Sequence, residues 1–512
     1  MRAARRDRRS RETRPTLLVR RDRRDRAMDS EEWQRFCELT TAEYPLPLPK
    51  KTRGDDELDL NTWRVLRPVL WSLVKALPAL VATLCKMAFH YACKVPVSDG
   101  CAFVHADTPR NALLVKKLKA CVAAMPPPTY WAHDGDLATL VPFVLFGGGA
   151  PTIAYTRRWL RVHGSPAPDG PRGFARRGGD AADDEAVAVD AAFPAEPKVD
   201  GPVFLVLHGL NGGSAEPYVL DFVQRATDRG FACFVMIGRG LMRTPVREHL
   251  FTGARTSDVG AAVEALARAY GDRVCLVGNS MGGVICENYV AKAGGESKLA
   301  SCVALSGTIC SQKILEACGD RSRGLWQPML TYYLKDSFTK PCLDLLDARR
   351  VPLGPILDAS SIDDFDRAQV CPFHGYPALT GADGYYTDMA AAGAGDEAGL
   401  GKLARVAVPT LLVHGKDDPI TPYEAQLPRE LHASKHIVLL ETDVGGHTGW
   451  PRGPDPREHR WRFMVDVAVE FAVAAHATRP FQLDVGDGPI FTREGKEPRQ
   501  TARSRAAKAG KL

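Results

Sequence analysis

From residue 203 onward the chain is punctuated by short, nearly unbroken apolar runs: 203–207, 231–237, 274–277, 302–305, 410–413 and 437–440. A strand that meets solvent on one face alternates apolar and polar residues, because its side chains point to opposite faces in turn. Unbroken runs are buried on both faces, as strands of a parallel sheet are. Helical periods at 218–229 and 259–270 lie between several of them. Strand alternating with helix predicts an α/β domain with a mostly parallel central sheet and helices on both faces. Two β-like runs, 156–162 and 185–189, precede this regular part. The stretch 165–184 between them is rich in Gly, Pro, Arg and Asp and reads as a flexible surface insertion.

The alternation fails between residues 306 and 401, a gap far beyond an ordinary crossover. Inside it, LWQPMLTYYL at 325–334 puts Trp326, Met329, Leu330, Tyr333 and Leu334 on one helical face, provided that Pro328 falls in the first turn. This predicts a helical cap over the open end of the sheet; the plain alternative is a structural insertion packed on the core, and both can hold together. Residues 389–400 are Ala/Gly-rich and read as a loop. Upstream, before the break at Pro126-Pro127-Pro128, residues 69–91 read VLWSLVKALPALVATLCKMAFHY. At roughly 20 residues per bilayer crossing this is long enough to span, but it holds Lys75, Pro78 and Lys86. A spanning or interfacial anchor with snorkelling lysines and a helix packed on the main domain both remain open.

Charge alters this picture only at the ends. The net charge of +6 is concentrated in residues 1–26, with twelve arginines against four acids, and in the tail from Lys496. The middle is near neutral, so no basic groove for nucleic acid is implied. The expected layout is a disordered basic region over 1–60, the apolar helix over 64–95, the main domain over 128–475 with its cap at about 306–401, and a disordered tail over 480–512. The basic arm suits a transit segment, a contact with anionic membrane, or a solvated tail. Thirteen scattered cysteines without a CxxC pair point to reduced thiols, not to a disulfide framework or a zinc site. No apolar stretch follows the first charges as a secretory signal would require.

The candidate chemistry begins at Gly278-Asn279-Ser280-Met281-Gly282, which follows the strand-like VCLVG and precedes a helix-like run. Small residues on both sides of a sharp strand-to-helix turn put the serine hydroxyl at its tip. A hydroxyl needs a base. His447, in Gly445-Gly446-His447-Thr448-Gly449 just past the last apolar run, is placed to serve; His432, His436 and His459 read as ordinary surface residues. The imidazole in turn needs a carboxylate. Asp417 and Asp418 compete in the turn after 410–413; Asp418 at its apex is favoured, and Asp417 is expected to cap or face water. Oxyanion donors are expected from the backbone N–H of Met281 and, in His208-Gly209-Leu210, of Leu210, with His208 itself structural. Such a triad needs no metal or cofactor, and Gly147-Gly148-Gly149 lacks the Lys-Ser/Thr of a phosphate loop.

On these residues the chain resembles the AB hydrolase 4 group of membrane-anchored α/β-hydrolases, which includes monoacylglycerol and phospholipid lipases and yeast medium-chain ethyl ester synthase/esterases. The marks are Pro128-Thr129-Tyr130-Trp131, Leu137-Ala138-Thr139-Leu140, HGLNGGS at 208–214, Arg239-Gly240, GNSMGG at 278–283, Phe365-Asp366, Gly384-Tyr385-Tyr386-Thr387-Asp388 and GGHTGW at 445–450. The resemblance implies an α/β-hydrolase fold and ester hydrolysis by Ser280, Asp418 and His447. It also implies a lipid ester substrate and a membrane-associated intracellular protein. Asn279 departs from the valine frequent in that group, and the insertions at 165–184 and 390–401 look local to this chain. An acyltransferase would use the same triad, and a non-catalytic binding protein would not need it intact.

Overall fold

The computed structural model describes residues 30–49, 51–54, 57–93, 95, 97–130, 132–146, 149–163, 184–377, 381–392, 402–426, 434–478 and 491–496. The basic arm at 1–26, nearly all of the 165–184 insertion, most of the 389–400 loop, His432 and the tail beyond 496 lie outside them. Ten strands form one sheet: β1 (Cys101–Ala106), β2 (Thr156–His163), β3 (Asp184–Ala192), β4 (Val203–Leu207), β5 (Cys233–Ile237), β6 (Val274–Asn279), β7 (Ser301–Leu305), β8 (Thr410–Gly415), β9 (Ile437–Thr442) and β10 (Phe491–Lys496). Their spatial order is β10-β1-β9-β8-β7-β6-β4-β5-β3-β2. The run from β5 through β4, β6, β7 and β8 to β9 is parallel; β2 and β3 at one edge and β1 and β10 at the other are antiparallel.

The unbroken apolar runs have the predicted cause. Alternate residues of each parallel strand enter different cores: in β6, Cys275 and Val277 go to one and Val274 and Leu276 to the other, as do Leu411 and Val413 against Leu412 in β8. The helices Pro109–Ala123, Pro217–Asp228 and Arg462–Ala477 cover the first face; Ser257–Tyr270 and Met281–Ala293 cover the second.

Two expectations about the ends need correction. The region 1–60 contains an ordered helix, Glu31–Glu38, capped by the Ser30 side chain. Its Trp33 and Phe36, three positions apart, are buried against Phe193 and Phe234. Residues 491–496, expected inside a disordered tail, pair as β10 with β1. Strand β1 itself was not foreseen, although all six of its residues are buried.

The apolar segment is a single helix, Trp63–Cys93, long and apolar enough to cross a membrane. It packs against the cap over most of its length and against the main domain at its C-terminal end. Arg64 pairs with Asp358 at 2.6 Å, Thr83 Oγ1 accepts from Arg321 at 3.1 Å, and Tyr91 meets Tyr130 with ring centroids 4.9 Å apart. Its large side chains face away from the protein. The buried positions are Val65, Ser72 and Thr83, whereas Trp71, Val74, Leu77 and Val81 are each more than half exposed.

Candidate active site

Ser280 follows β6 at the tip of a sharp turn, with φ +55°. A non-glycine residue in that region costs of order 1–3 kcal/mol and persists only where its surroundings enforce it. Here they do. The Ser280 N–H donates to Leu305 O at 2.8 Å, and its carbonyl accepts from Val284 N at 3.1 Å to start the helix Met281–Ala293. The flanking glycines allow the crossing, because a Cβ on Gly278 would lie 2.2 Å from Gly282 O and one on Gly282 would lie 2.6 Å from Leu207 O.

Over this tip the loop after β9 brings His447, whose Nε2 accepts from Ser280 Oγ at 2.7 Å. On the other side of the ring, Nδ1 faces Asp418 Oδ2 at 2.8 Å and Oδ1 at 3.1 Å. Asp418 is buried in the turn after β8, where Ile420 N–H, Thr421 N–H and the Thr421 hydroxyl also donate to it. Burial pushes its carboxyl up, but the charge and hydrogen bond of His447, with help from His414 and Thr421, outweigh this and hold it below the ordinary value. Asp417 corrects the expectation made for it. It is half-buried, and its Oδ1 accepts the Gly446 N–H at 2.9 Å. Burial pushes its carboxyl up to about 7, the Gly446 N–H opposes this, and the Asp418 charge adds to it.

The sequence profile of the alpha/beta hydrolase fold matches residues 202–447, from the start of β4 to this histidine. Residues 202–447 thus carry the sequence profile of the α/β-hydrolase superfamily. Among curated proteins the chain is 28% identical over 265 residues to "Phospholipase ABHD3" of Mus musculus, covering 50% of this chain and 60% of that one. It is 27% identical over 266 residues to "Putative esterase YheT" of Escherichia coli, covering 51% and 74%. It is 25% identical over 281 residues to "Monoacylglycerol lipase" of Saccharomyces cerevisiae, covering 52% and 59%. The match thus spans about three-fifths of the phospholipase and of the yeast lipase.

In this hydrolase fold the loop after β4 runs beside the nucleophile turn, and a Cβ on Gly209 would sit 3.5 Å from Ser280 Cβ. His208 supports that loop as expected. Its Nδ1–H donates to Gly209 O at 2.7 Å and its Nε2 accepts from Gly238 N at 3.0 Å, while burial lowers its pKa to about 4 and keeps it neutral. Tyr218 Oη accepts the Gly209 N–H at 2.8 Å. Among the described residues, neither Leu210 N–H nor Met281 N–H has a protein acceptor. Both residues line one cavity. Leu250, Phe251, Leu334, Phe338, Ile362 and Phe365 supply most of its apolar wall, and Asp366, Gln369, His374 and Tyr385 its polar part.

The cap is helical, and Pro328 falls in the first turn of Gln327–Leu334. The predicted apolar face is not the one used. Trp326 is absent from the cavity wall; it is buried where cap meets core, its indole N–H donating to Asp136 Oδ1 at 2.7 Å. Tyr333 is 52% exposed, and of the five only Leu334 lines the cavity. Within the regular helix Gln327–Leu334 the buried positions are Gln327, Pro328, Thr331 and Leu334, so the helix turns a more polar face to the core than its apolar pattern predicts.

Several site residues carried no signal of their own. Thr421 reaches both Asp418 Oδ2 and Ser306 O, and Ser306, at φ +51°, accepts the Thr448 N–H at 2.9 Å. Single Ser and Thr residues are too common to be picked out by type. Their positions, beside Asp418 and immediately after β7, become meaningful only once the strand ends are brought together.

Proposed function

We propose that this chain is a serine carboxylic-ester hydrolase acting on lipid acyl esters. The reading is carried by the continuous relay from Ser280 Oγ to His447 Nε2 at 2.7 Å and from His447 Nδ1 to Asp418 at 2.8 Å. Ser280 Oγ attacks the ester carbonyl as His447 takes its proton; Asp418 fixes the tautomer and stabilises the charged ring. The tetrahedral oxyanion is held by the Met281 and Leu210 N–H groups. Collapse expels the alcohol, which takes the proton from His447, and leaves an acyl-enzyme. Water, activated by the same histidine, then releases the acid. The largely apolar cavity beside Met281 suits an acyl chain, and the names of the phospholipase and monoacylglycerol lipase relatives favour a glycerolipid.

The same proposal includes membrane association. A helix that packs through Val65, Ser72 and Thr83 while exposing Trp71, Val74, Leu77 and Val81 reverses the arrangement that water selects. Val144 and Leu145 are exposed on the neighbouring helix Gly135–Phe146, whose Leu137 and Ala138 pack with Met87. Packing along the cap suits a helix lying in the plane of the interface.

A fluorophosphonate probe and a panel of acyl esters test the hydrolase reading. The full chain should label and turn over esters, and Ser280→Ala should lose labelling and about 10⁴- to 10⁶-fold in kcat with the fold intact. Undiminished labelling of Ser280→Ala would falsify the assignment. Vesicle flotation tests the second part: the full chain should float, and failure to float removes the membrane reading without touching the triad.

A further inference from the structure

Three consecutive amides of the loop that carries His447 are held by side chains from three different parts of the fold. Gly446 N–H donates to Asp417 Oδ1 at 2.9 Å, His447 N–H to Thr139 Oγ1 at 2.8 Å, and Thr448 N–H to Ser306 Oγ at 2.9 Å. Asp417 and Ser306 follow sheet strands, β8 and β7. Thr139 comes from the helix Gly135–Phe146, which precedes every parallel strand in the sequence. It reaches the loop because glycines let the two backbones meet. A Cβ on Gly446 would lie 2.7 Å from Thr139 Oγ1, one on Gly449 2.0 Å from Ala138 O, and one on Gly135 1.7 Å from Asp417 O.

The Thr139 hydroxyl is oriented for this contact. It is 2% exposed, and its single proton goes to Gly135 O at 2.6 Å, which leaves lone pairs for the His447 N–H. The loop it holds follows an uncommon path, with φ +59° at Gly446, +52° at Thr448 and +45° at Trp450, so it depends on such anchors to stay there. We propose that Thr139 is a positioning residue. It fixes the His447 backbone, and with it the imidazole between Ser280 and Asp418, without touching substrate. The inference rests on the triad proposed above.

Valine has the shape of threonine but cannot accept the amide; serine keeps the acceptor and loses only a methyl. In the full-length protein, Thr139→Val should lower kcat on a short soluble ester by about ten- to a hundredfold, the scale of a misplacement of up to about 1 Å. KM should stay within about twofold, because the group acts on the base and not on binding. Fluorophosphonate labelling should slow in proportion, and Thr139→Ser should recover most of both. Should the valine variant fail to fold, Thr139→Cys, a much weaker acceptor, replaces it with the same expected order. An unchanged kcat in the valine or cysteine variant overturns the proposal. So does a serine variant as impaired as valine with KM raised alongside. Ser280→Ala in the same assays separates the two levels. If it is inactive while Thr139→Val is fully active, only the positioning role fails; if it stays active, the triad itself is wrong.

Discussion

The triad floor and the cap above it are built by different physical means. On the floor, backbone meets backbone: Gly278 against Gly282, Gly446 against Gly135, Gly449 against Ala138. Polar side chains there bridge short gaps to named amides. In the cap, short helices of changing pitch meet through large side chains, with few glycines at contact distance and isolated polar ties such as Trp326 to Asp136 and Lys335 Nζ to Ala359 O at 2.7 Å. The first construction tolerates almost no substitution at its glycines, because backbone cannot move aside as a side chain tip can. The second tolerates compensated changes in volume. On the ester-hydrolase reading proposed above, the functional consequence is a fixed chemistry beneath an adaptable acyl wall.

The sharpest way to break this contrast lies on the floor. Asp418→Asn should lower kcat about 10⁴-fold, the scale seen when the orienting carboxylate of a serine protease triad is replaced. Asp417→Asn can still offer Oδ1 to the Gly446 N–H and should cost less than tenfold. Steady-state rates on one soluble ester decide it. If the two losses come out reversed, the acid has been placed one residue too late.

An intermediate effect is expected in the cap. Phe338 is buried and lines the cavity beside Leu334 and Phe365. Contact with each buried methylene is worth up to about 0.8 kcal/mol, roughly fourfold. Phe338→Ala should therefore cut kcat/KM for long-chain esters about tenfold and leave an acetyl ester within about twofold. Trp326→Phe, which removes the indole N–H to Asp136 and part of the buried ring without altering the cavity wall, should shift all chain lengths alike. Uniform losses for Phe338→Ala across the panel would show that this cavity does not receive the acyl chain.

The same contrast explains what could be read from the sequence. Ser280, His447 and the turn bearing Asp418 were legible because glycines and strand ends mark backbone geometry locally. The parallel strands were legible because burial on both faces leaves unbroken apolar runs. Strand β1 was not, since CAFVHA is short and carries His105 in its apolar run. Trp33 and Phe36 lay hidden beside a strongly charged arm. Trp326 was placed on the wrong surface because its indole N–H is tied to Asp136, nearly two hundred positions away in the sequence, and Thr139 could not be found at all. Its role exists only through residue 447, more than three hundred positions away.

The smallest expected effect sharpens the account of the floor itself. Asp417 sits beside Asp418 and the His447 loop, and burial raises its carboxyl from the ordinary range to about 7. Between about pH 4 and 7 the folded protein therefore binds a proton at Asp417 that the unfolded chain has released. Stability must fall as pH rises through that window, and the contribution is lost above about 7. Asp366, buried within the cap and likewise pushed up to about 7 by burial, against the Tyr386 hydrogen bond and with the Asp363 charge, contributes in the same direction. Asp417→Asn is neutral at every pH, so it should match the wild type near pH 4 and melt higher at pH 8. The gain should be about 2 °C, the shift that roughly 1 kcal/mol produces in a domain of this size. The double variant Asp366→Asn/Asp417→Asn should flatten the pH dependence further. Thermal melts from pH 4 to 8 measure this, and an Asp417→Asn protein less stable than wild type at pH 8 would mean that the charged carboxylate is what the Gly446 amide requires.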